Sequence, residues 1–133
     1  MILVDTNVVL DVVLNDRTWA DWSLQALDAA SVRDTLAINP IIYAELSIAF
    51  ARIEELEKVL VDAGFSVAPI PREALFLASK AFLKYRTGKD AKTNVLADYF
   101  IGAHAAVDDM TILTRDVRRY RTYFPTVKLL APS

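Results

Sequence analysis

Ile2-Leu3-Val4-Asp5-Thr6-Asn7-Val8 opens the chain with three apolar, strand-forming residues that run straight into an acid. The apolar positions from Thr6 to Val13 then suit a short helix launched from the strand end. The same pattern returns late in the chain in Thr111-Ile112-Leu113-Thr114-Arg115-Asp116, again an apolar run closed by an acid. If the two runs are parallel strands, their carboxyl ends share the edge where open α/β sheets place ligands. Asp5 and Asp116 would both stand on that edge, and carboxylates gathered there need a cation.

Strand and helix patterns alternate between these two stretches. Residues 17–33 carry Trp19, Trp22, Leu24, Ala26, Leu27 and Ala30 near helical spacing, and Leu36 to Ile38 reads as a second short strand. Asn39-Pro40 supplies an N-cap amide followed by proline at the first helical position, so Glu45 falls on the helix that follows. Arg52 to Ala63 forms another apolar face that Gly64 ends, and Phe65 to Ala68 is a third strand candidate. Pro71 to Thr87 is helical in pattern with Gly88 after it, and a polar loop follows from Lys89 to Asn94. Val95 to Val107 reads as an apolar helix with Asp98 in its first turn, where a carboxylate meets the positive helix end. Thr111 to Thr114, Val117 to Tyr123 and Val127 to Leu130 complete the alternation as strand, helix and strand. The expected architecture is a three-layer α/β/α sandwich with a mainly parallel central sheet, in a single domain spanning residues 1–133.

Composition narrows the chemistry. Cys is absent, which removes disulfides, thiolate metal sites and cysteine nucleophiles and fits a reducing cytoplasm. A hydrophobic content of 54% leaves room for contact surface between copies. No apolar stretch reaches the ~18 residues of a membrane span, so a soluble protein with no membrane partner is expected. The net charge of -2 argues against a general nucleic-acid coat. Two basic stretches stand out locally: Lys80, Lys84, Arg86, Lys89 and Lys92, and Arg115, Arg118, Arg119, Arg121 and Lys128. They are either solvated helix faces or flanks of an acidic centre.

Four acids, Asp5, Glu45, Asp98 and Asp116, carry the functional reading. Each has a plainer explanation, the first and last as helix N-caps and the other two as ordinary helix carboxylates. Glu45 and Asp98 nevertheless sit among apolar neighbours, and a buried carboxylate without a partner is expensive. Two unit charges ~4 Å apart repel by about 4 kcal/mol at an effective dielectric of about 20. Convergence of four would therefore require a multivalent cation, and all-oxygen ligation suits Mg²⁺, with Mn²⁺ as a substitute. The glycines at 64, 88 and 102 cannot form a GxGxxG or GxxxxGK[ST] phosphate loop. The single histidine, His104, excludes a two-histidine ribonuclease within one chain, and its place about 240° around the helix from Asp98 gives it a packing or subunit-contact role.

Ile2 to Val8, Glu45 within residues 41–48, Asp98 within LADYFIGAHA and the LTRD of Leu113 to Asp116 together resemble the PIN-domain family, and within it the VapC-type toxins. The resemblance implies a metal-dependent endoribonuclease that hydrolyses RNA phosphodiesters with a metal-activated water, acting as the toxin of a toxin–antitoxin pair. It also implies that Asp5, Glu45, Asp98 and Asp116 are the catalytic, metal-binding acids, with Asp5 and Asp98 the closest ligands. Asn7 and Thr114 match small polar residues that support the acids, and Arg115 is a candidate substrate contact. A cognate antitoxin, a homodimer or a larger toxin–antitoxin assembly, and a cytoplasmic location follow from the same resemblance. Trp19, Trp22, Tyr43 and Phe50 either line an antitoxin groove or pack in the core. The same acids would serve a PIN-fold nuclease in RNA processing or DNA cleavage. A non-hydrolytic metal-binding module is the rival of another class.

Overall fold

A computed structural model describes residues 1–85 and 93–133. Gly88, the segment 89–92 and the basic residues Arg86, Lys89 and Lys92 lie outside the described residues. In chain order the elements are β1 (Ile2–Val4), α1 (Thr6–Val13), α2 (Ala20–Arg33), β2 (Leu36–Ile38), α3 (Pro40–Ser47), α4 (Ile53–Ala63), β3 (Ser66–Val67), α5 (Arg72–Tyr85), α6 (Thr93–Val107), β4 (Thr111–Leu113), α7 (Arg118–Tyr123) and β5 (Leu129–Leu130).

All five strands are parallel and lie in the order β3-β2-β1-β4-β5. The chain builds outward from β1 in one direction, then returns to the other side of β1 to lay down β4. The boundary between β1 and β4 is therefore the switch point of the sheet, where the helices that follow the two strands depart to opposite sides and open a crevice. Register pairs Val4 with Leu113, and the Asp5 backbone N–H donates to the Leu113 carbonyl at 2.9 Å. Asp5 and Thr114 are in consequence the first residues beyond two adjacent strands.

Burial explains why the strands could be read from so few residues. Leu3 and Val4 are fully buried, as are Ala37, Ile38 and Ile112 of the neighbouring strands, which is the pattern of a sheet covered on both faces. Val8 and Val9 of α1, Ile42 and Leu46 of α3, Leu56 and Leu60 of α4 and Ile101 of α6 close the main core around it. A second cluster joins Ala74, Ala78 and Ala81 of α5 to Tyr99 and Ala103 of α6 and to Phe124. The result is the expected three-layer α/β/α sandwich.

Local signals account for most element ends. The Asn39 side chain accepts from the Ile42 N–H, with Pro40 at the first helical position of α3. Gly64 ends α4 at φ 73, a left-handed conformation for which glycine has no Cβ penalty. The polar run expected as a loop up to residue 94 is corrected, because α6 already begins at Thr93. Asp98 is thus the sixth residue of the helix rather than a first-turn residue, and the argument from the positive helix end no longer applies to it.

Candidate functional site

Four separated segments deliver the acids to one place. Asp5 leaves β1, Glu45 comes from α3, Asp98 from α6 and Asp116 from the turn after β4. All four line one cavity of about 280 Å³ together with Thr6, Asn7, Leu10, Arg119 and Tyr120.

Asp5 is the most enclosed of them, with 6% of its surface exposed. Its Oδ1 accepts from the Thr6 N–H at 2.8 Å, so it caps α1 as well as facing the cavity. Its Oδ2 accepts from the Thr114 hydroxyl at 2.9 Å and from the Tyr120 hydroxyl at 2.9 Å, with Asn7 Nδ2 farther off at 3.4 Å. Burial lifts the Asp5 carboxyl from 3.8 to about 6; the nearby Asp98 charge adds to the rise, while hydrogen bonds from Thr114, Tyr120 and Thr6 oppose it. The Tyr120 hydroxyl is pushed well above its usual value by burial and by the charges of Asp5, Asp98 and Glu45. It stays protonated and donates to Asp5 Oδ2.

Glu45 accepts the Thr6 hydroxyl on Oε1 at 2.6 Å. Burial raises its carboxyl, with Asp98 adding to the effect. Asp98 accepts from Arg119 Nη1 on Oδ2 at 2.6 Å, yet burial still raises it, helped by the charge of Asp116. Asp116 is exposed at the mouth, its N–H donating to Thr114 Oγ1 at 3.1 Å. Each acid is therefore coupled electrostatically to at least one of the others.

Among the described residues, no three His, Cys, Asp or Glu side chains stand as a ready-made metal cage. Donors already hold both oxygens of Asp5 and one oxygen each of Glu45 and Asp98. The donor chemistry nonetheless fits a hard divalent ion: it is all oxygen, and Glu45 Oε2 and Asp98 Oδ1 make no described hydrogen bond. The Arg119 guanidinium resting on Asp98 compensates part of this negative charge.

Asn7 and Thr114 both stand beside Asp5 Oδ2, the Asn7 Nδ2 at 3.4 Å and the Thr114 hydroxyl at 2.9 Å. Asn7 Nδ2 donates to Thr114 Oγ1 at 3.3 Å and its Oδ1 accepts from the Arg115 N–H at 3.3 Å. Arg115, the candidate substrate contact, is placed differently. Its guanidinium makes a two-pronged pair with buried Asp11 at 2.8 and 3.1 Å and lies over the Trp19 ring, away from the cavity lining. Asp11 also accepts from Ser23 at 2.7 Å, so Arg115 ties the 114–116 turn to α1 and α2. Lys80 and Lys84 sit over the Phe76 and Tyr85 rings of their own helix.

His104 is fully buried and pairs with Asn39 and Asp108, in keeping with a packing role. Trp22, Tyr43 and Phe50 pack against the main core, and Trp19 meets Trp22 edge to face. Sequence reasoning missed Thr6 and Tyr120 at the site and marked Arg119 only within a basic run flanking an acidic centre. Thr6 adjoins a chosen acid, and Tyr120 lies four residues after Asp116, but no periodic signal marks either as a cavity residue.

An all-parallel sheet with a carboxylate-lined cavity at its switch point defines a doubly wound α/β protein with an acidic site. The family model described as PIN domain matches residues 2–125, and the chain belongs to that family. No curated protein matches the sequence. Among solved structures, VapBC2 from Rickettsia felis bound to a DNA fragment from their promoter is similar at a TM-score of 0.74 and 18% identity, each chain covered at 100%. A toxin-antitoxin complex from Klebsiella pneumoniae is similar at 0.71 and 19%, covering 100% of this chain and 98% of the other. FitAcB from Neisseria gonorrhoeae is similar at 0.69 and 20%, covering 98% and 96%.

Proposed function

We propose that the protein is a divalent-metal-dependent endoribonuclease, using Mg²⁺ or Mn²⁺, and the toxin of a toxin–antitoxin pair. The observation that carries this is the meeting of Asp5, Glu45, Asp98 and Asp116, from four separate segments, in one cavity at the switch point of a PIN-domain sheet. Asp5 and Asp98 would hold the ion, with Glu45 and Asp116 completing its surroundings. When bound, the ion supplies a water of lowered pKa and charge stabilisation for hydrolysis of a phosphodiester.

The chain's own residues set the geometry. Thr114 and Tyr120 fix Asp5 through Oδ2, and Thr6 fixes both Asp5 and Glu45 through its N–H and its hydroxyl. Such donors orient carboxylates for ligation. The products would be 5′-phosphate and 3′-hydroxyl ends. Preference for RNA would rest on shape and 2′-hydroxyl contacts around the cavity.

An antitoxin partner is supported by the complexes to which the fold is similar. Exposed Ile53 and Val61 around a depression of about 590 Å³ at α3 and α4 offer apolar surface for another chain. A homodimer and a cytoplasmic location belong to the same proposal; no described helix is long and apolar enough to cross a membrane. Inducible expression of the wild type beside Asp5→Asn tests the toxin role. Growth arrest with fragmentation of stable RNA is expected from the wild type alone, and equal behaviour of the two would overturn it.

A further inference from the structure

Nine of the described residues line the acidic cavity, and Arg119 is the one cation among these. Its guanidinium reaches in from α7 to Asp98 Oδ2 at 2.6 Å, with 39% of its side chain still exposed. The next residue, Tyr120, turns the other way around the short helix and holds Asp5. Two consecutive residues of α7 thus engage the two acids at the centre of the site. The second contact is a buried hydrogen bond, whereas the first is a half-open ion pair.

That difference matters chemically. A phosphodiester is an anion, and the four carboxylates around this cavity oppose its approach. A guanidinium carries five N–H donors in a planar fork matched to phosphate, and the Asp98 contact uses only Nη1. A half-exposed ion pair is weakly held and readily exchanged. Arg115 does not hold this place, because its Nε and Nη2 are committed to Asp11 and it lies outside the cavity lining.

We propose that Arg119 contacts the substrate phosphate and that Asp98 is its resting partner: once a divalent cation compensates the acids, the guanidinium leaves Asp98 for a phosphate oxygen. This rests on the nuclease reading and adds a substrate residue to it. It has two separable consequences. Removing the guanidinium weakens nucleic-acid binding, and it also strengthens divalent-ion binding, since the ion no longer competes for Asp98.

The test compares wild type, Arg119→Gln and Arg119→Lys, each first checked for an unchanged circular dichroism spectrum. Mn²⁺ affinity is read by titration calorimetry with the metal alone. Affinity for a fluorescein-labelled single-stranded RNA 12-mer is read by anisotropy with Ca²⁺ in place of Mn²⁺. Loss of a charge-assisted hydrogen bond corresponds to about a tenfold or greater change in affinity. Arg119→Gln is therefore expected to bind the RNA about tenfold more weakly and Mn²⁺ severalfold more tightly, with Arg119→Lys between it and the wild type for RNA. Unchanged RNA affinity in Arg119→Gln, or Mn²⁺ affinity equal to or below the wild type, overturns the proposal. The nuclease reading fails by a different result: both differences between Arg119→Gln and the wild type are seen, but the wild type does not cut RNA with Mn²⁺.

Discussion

Asp5 does three jobs with two oxygens: it caps α1, anchors the Thr114 and Tyr120 hydroxyls and faces the cavity. Its elevated value of about 6 makes the ionised form a strain on the fold. Because the folded value lies above the unfolded one, the stabilising contribution is complete below pH 3.8 and is lost as pH rises through about 6. That difference is worth about 3 kcal/mol. Asp5→Asn cannot titrate, so its stability relative to the cation-free wild type is expected to improve by about 2.4 kcal/mol between pH 4 and pH 7 in urea melts. A pH-independent difference would remove ionised Asp5 as the strained group. Arg115 is the opposite case, a charge placed to neutralise another. Arg115→Ala leaves Asp11 buried and unpaired, and a loss of about 2–4 kcal/mol is expected in the same melts, discounted for the partial exposure of the arginine.

At the level of elements, the site depends on how α3, α6 and α7 are pinned together. The Asn39 carbonyl caps α3 through the Ile42 N–H, so its Nδ2 faces His104 Nδ1 at 3.1 Å. His104 therefore carries its proton on Nε2 and donates to Asp108 at 3.1 Å, and burial holds it below the usual histidine range, in the neutral form. This bridge joins the helix of Glu45 to the helix of Asp98. Asn39→Ala removes a cap and orphans a buried imidazole nitrogen, which should cost about 2–4 kcal/mol and lower the melting temperature by roughly 10 °C. The contact of α6 with the residue that ends α7 is equally strict: a Cβ at Gly102 would lie 2.3 Å from the Phe124 ring. Gly102→Ala should push α7 from α6, loosening Arg119 and Tyr120 along with Asp98. None of this pinning is legible in the sequence, since Asn39 and His104 are 65 residues apart. What was legible at this scale were the local signals: the Asn39-Pro40 cap, the Gly64 stop and the exact extents of β1, α1 and β2. The start of α6 was misjudged because Thr93 and Asn94 are polar, and polarity alone does not end a helix.

Across the whole molecule, strand order is what turns scattered acids into a site. Short runs such as Ile2 to Val4 were recognisable because burial on both sheet faces demands unbroken apolar residues. The sequence also marked Asp5, Glu45, Asp98 and Asp116 through their positions beside strands or within apolar helices. Arg119 was marked only as one charge in a basic run flanking an acidic centre, and the pairing of Arg115 with Asp11 was not legible because the two lie 104 residues apart. The mutual influence of the acids leads to a global expectation. Mn²⁺ at about 100 times its dissociation constant should raise stability by about 2.7 kcal/mol and the melting temperature by roughly 5–10 °C. Asp98→Asn should shrink that rise in differential scanning fluorimetry, and an undiminished rise would place the ion elsewhere. The most direct measurement is incubation of purified wild type and Asp5→Asn with end-labelled RNA, in Mn²⁺ and in EDTA, with the product ends identified. Cleavage by the wild type in Mn²⁺ alone, leaving 5′-phosphate and 3′-hydroxyl ends, is the expected result. Cleavage that persists in EDTA or in Asp5→Asn, or no cleavage by the wild type under any of these conditions, would contradict an acid-held, metal-dependent ribonuclease site.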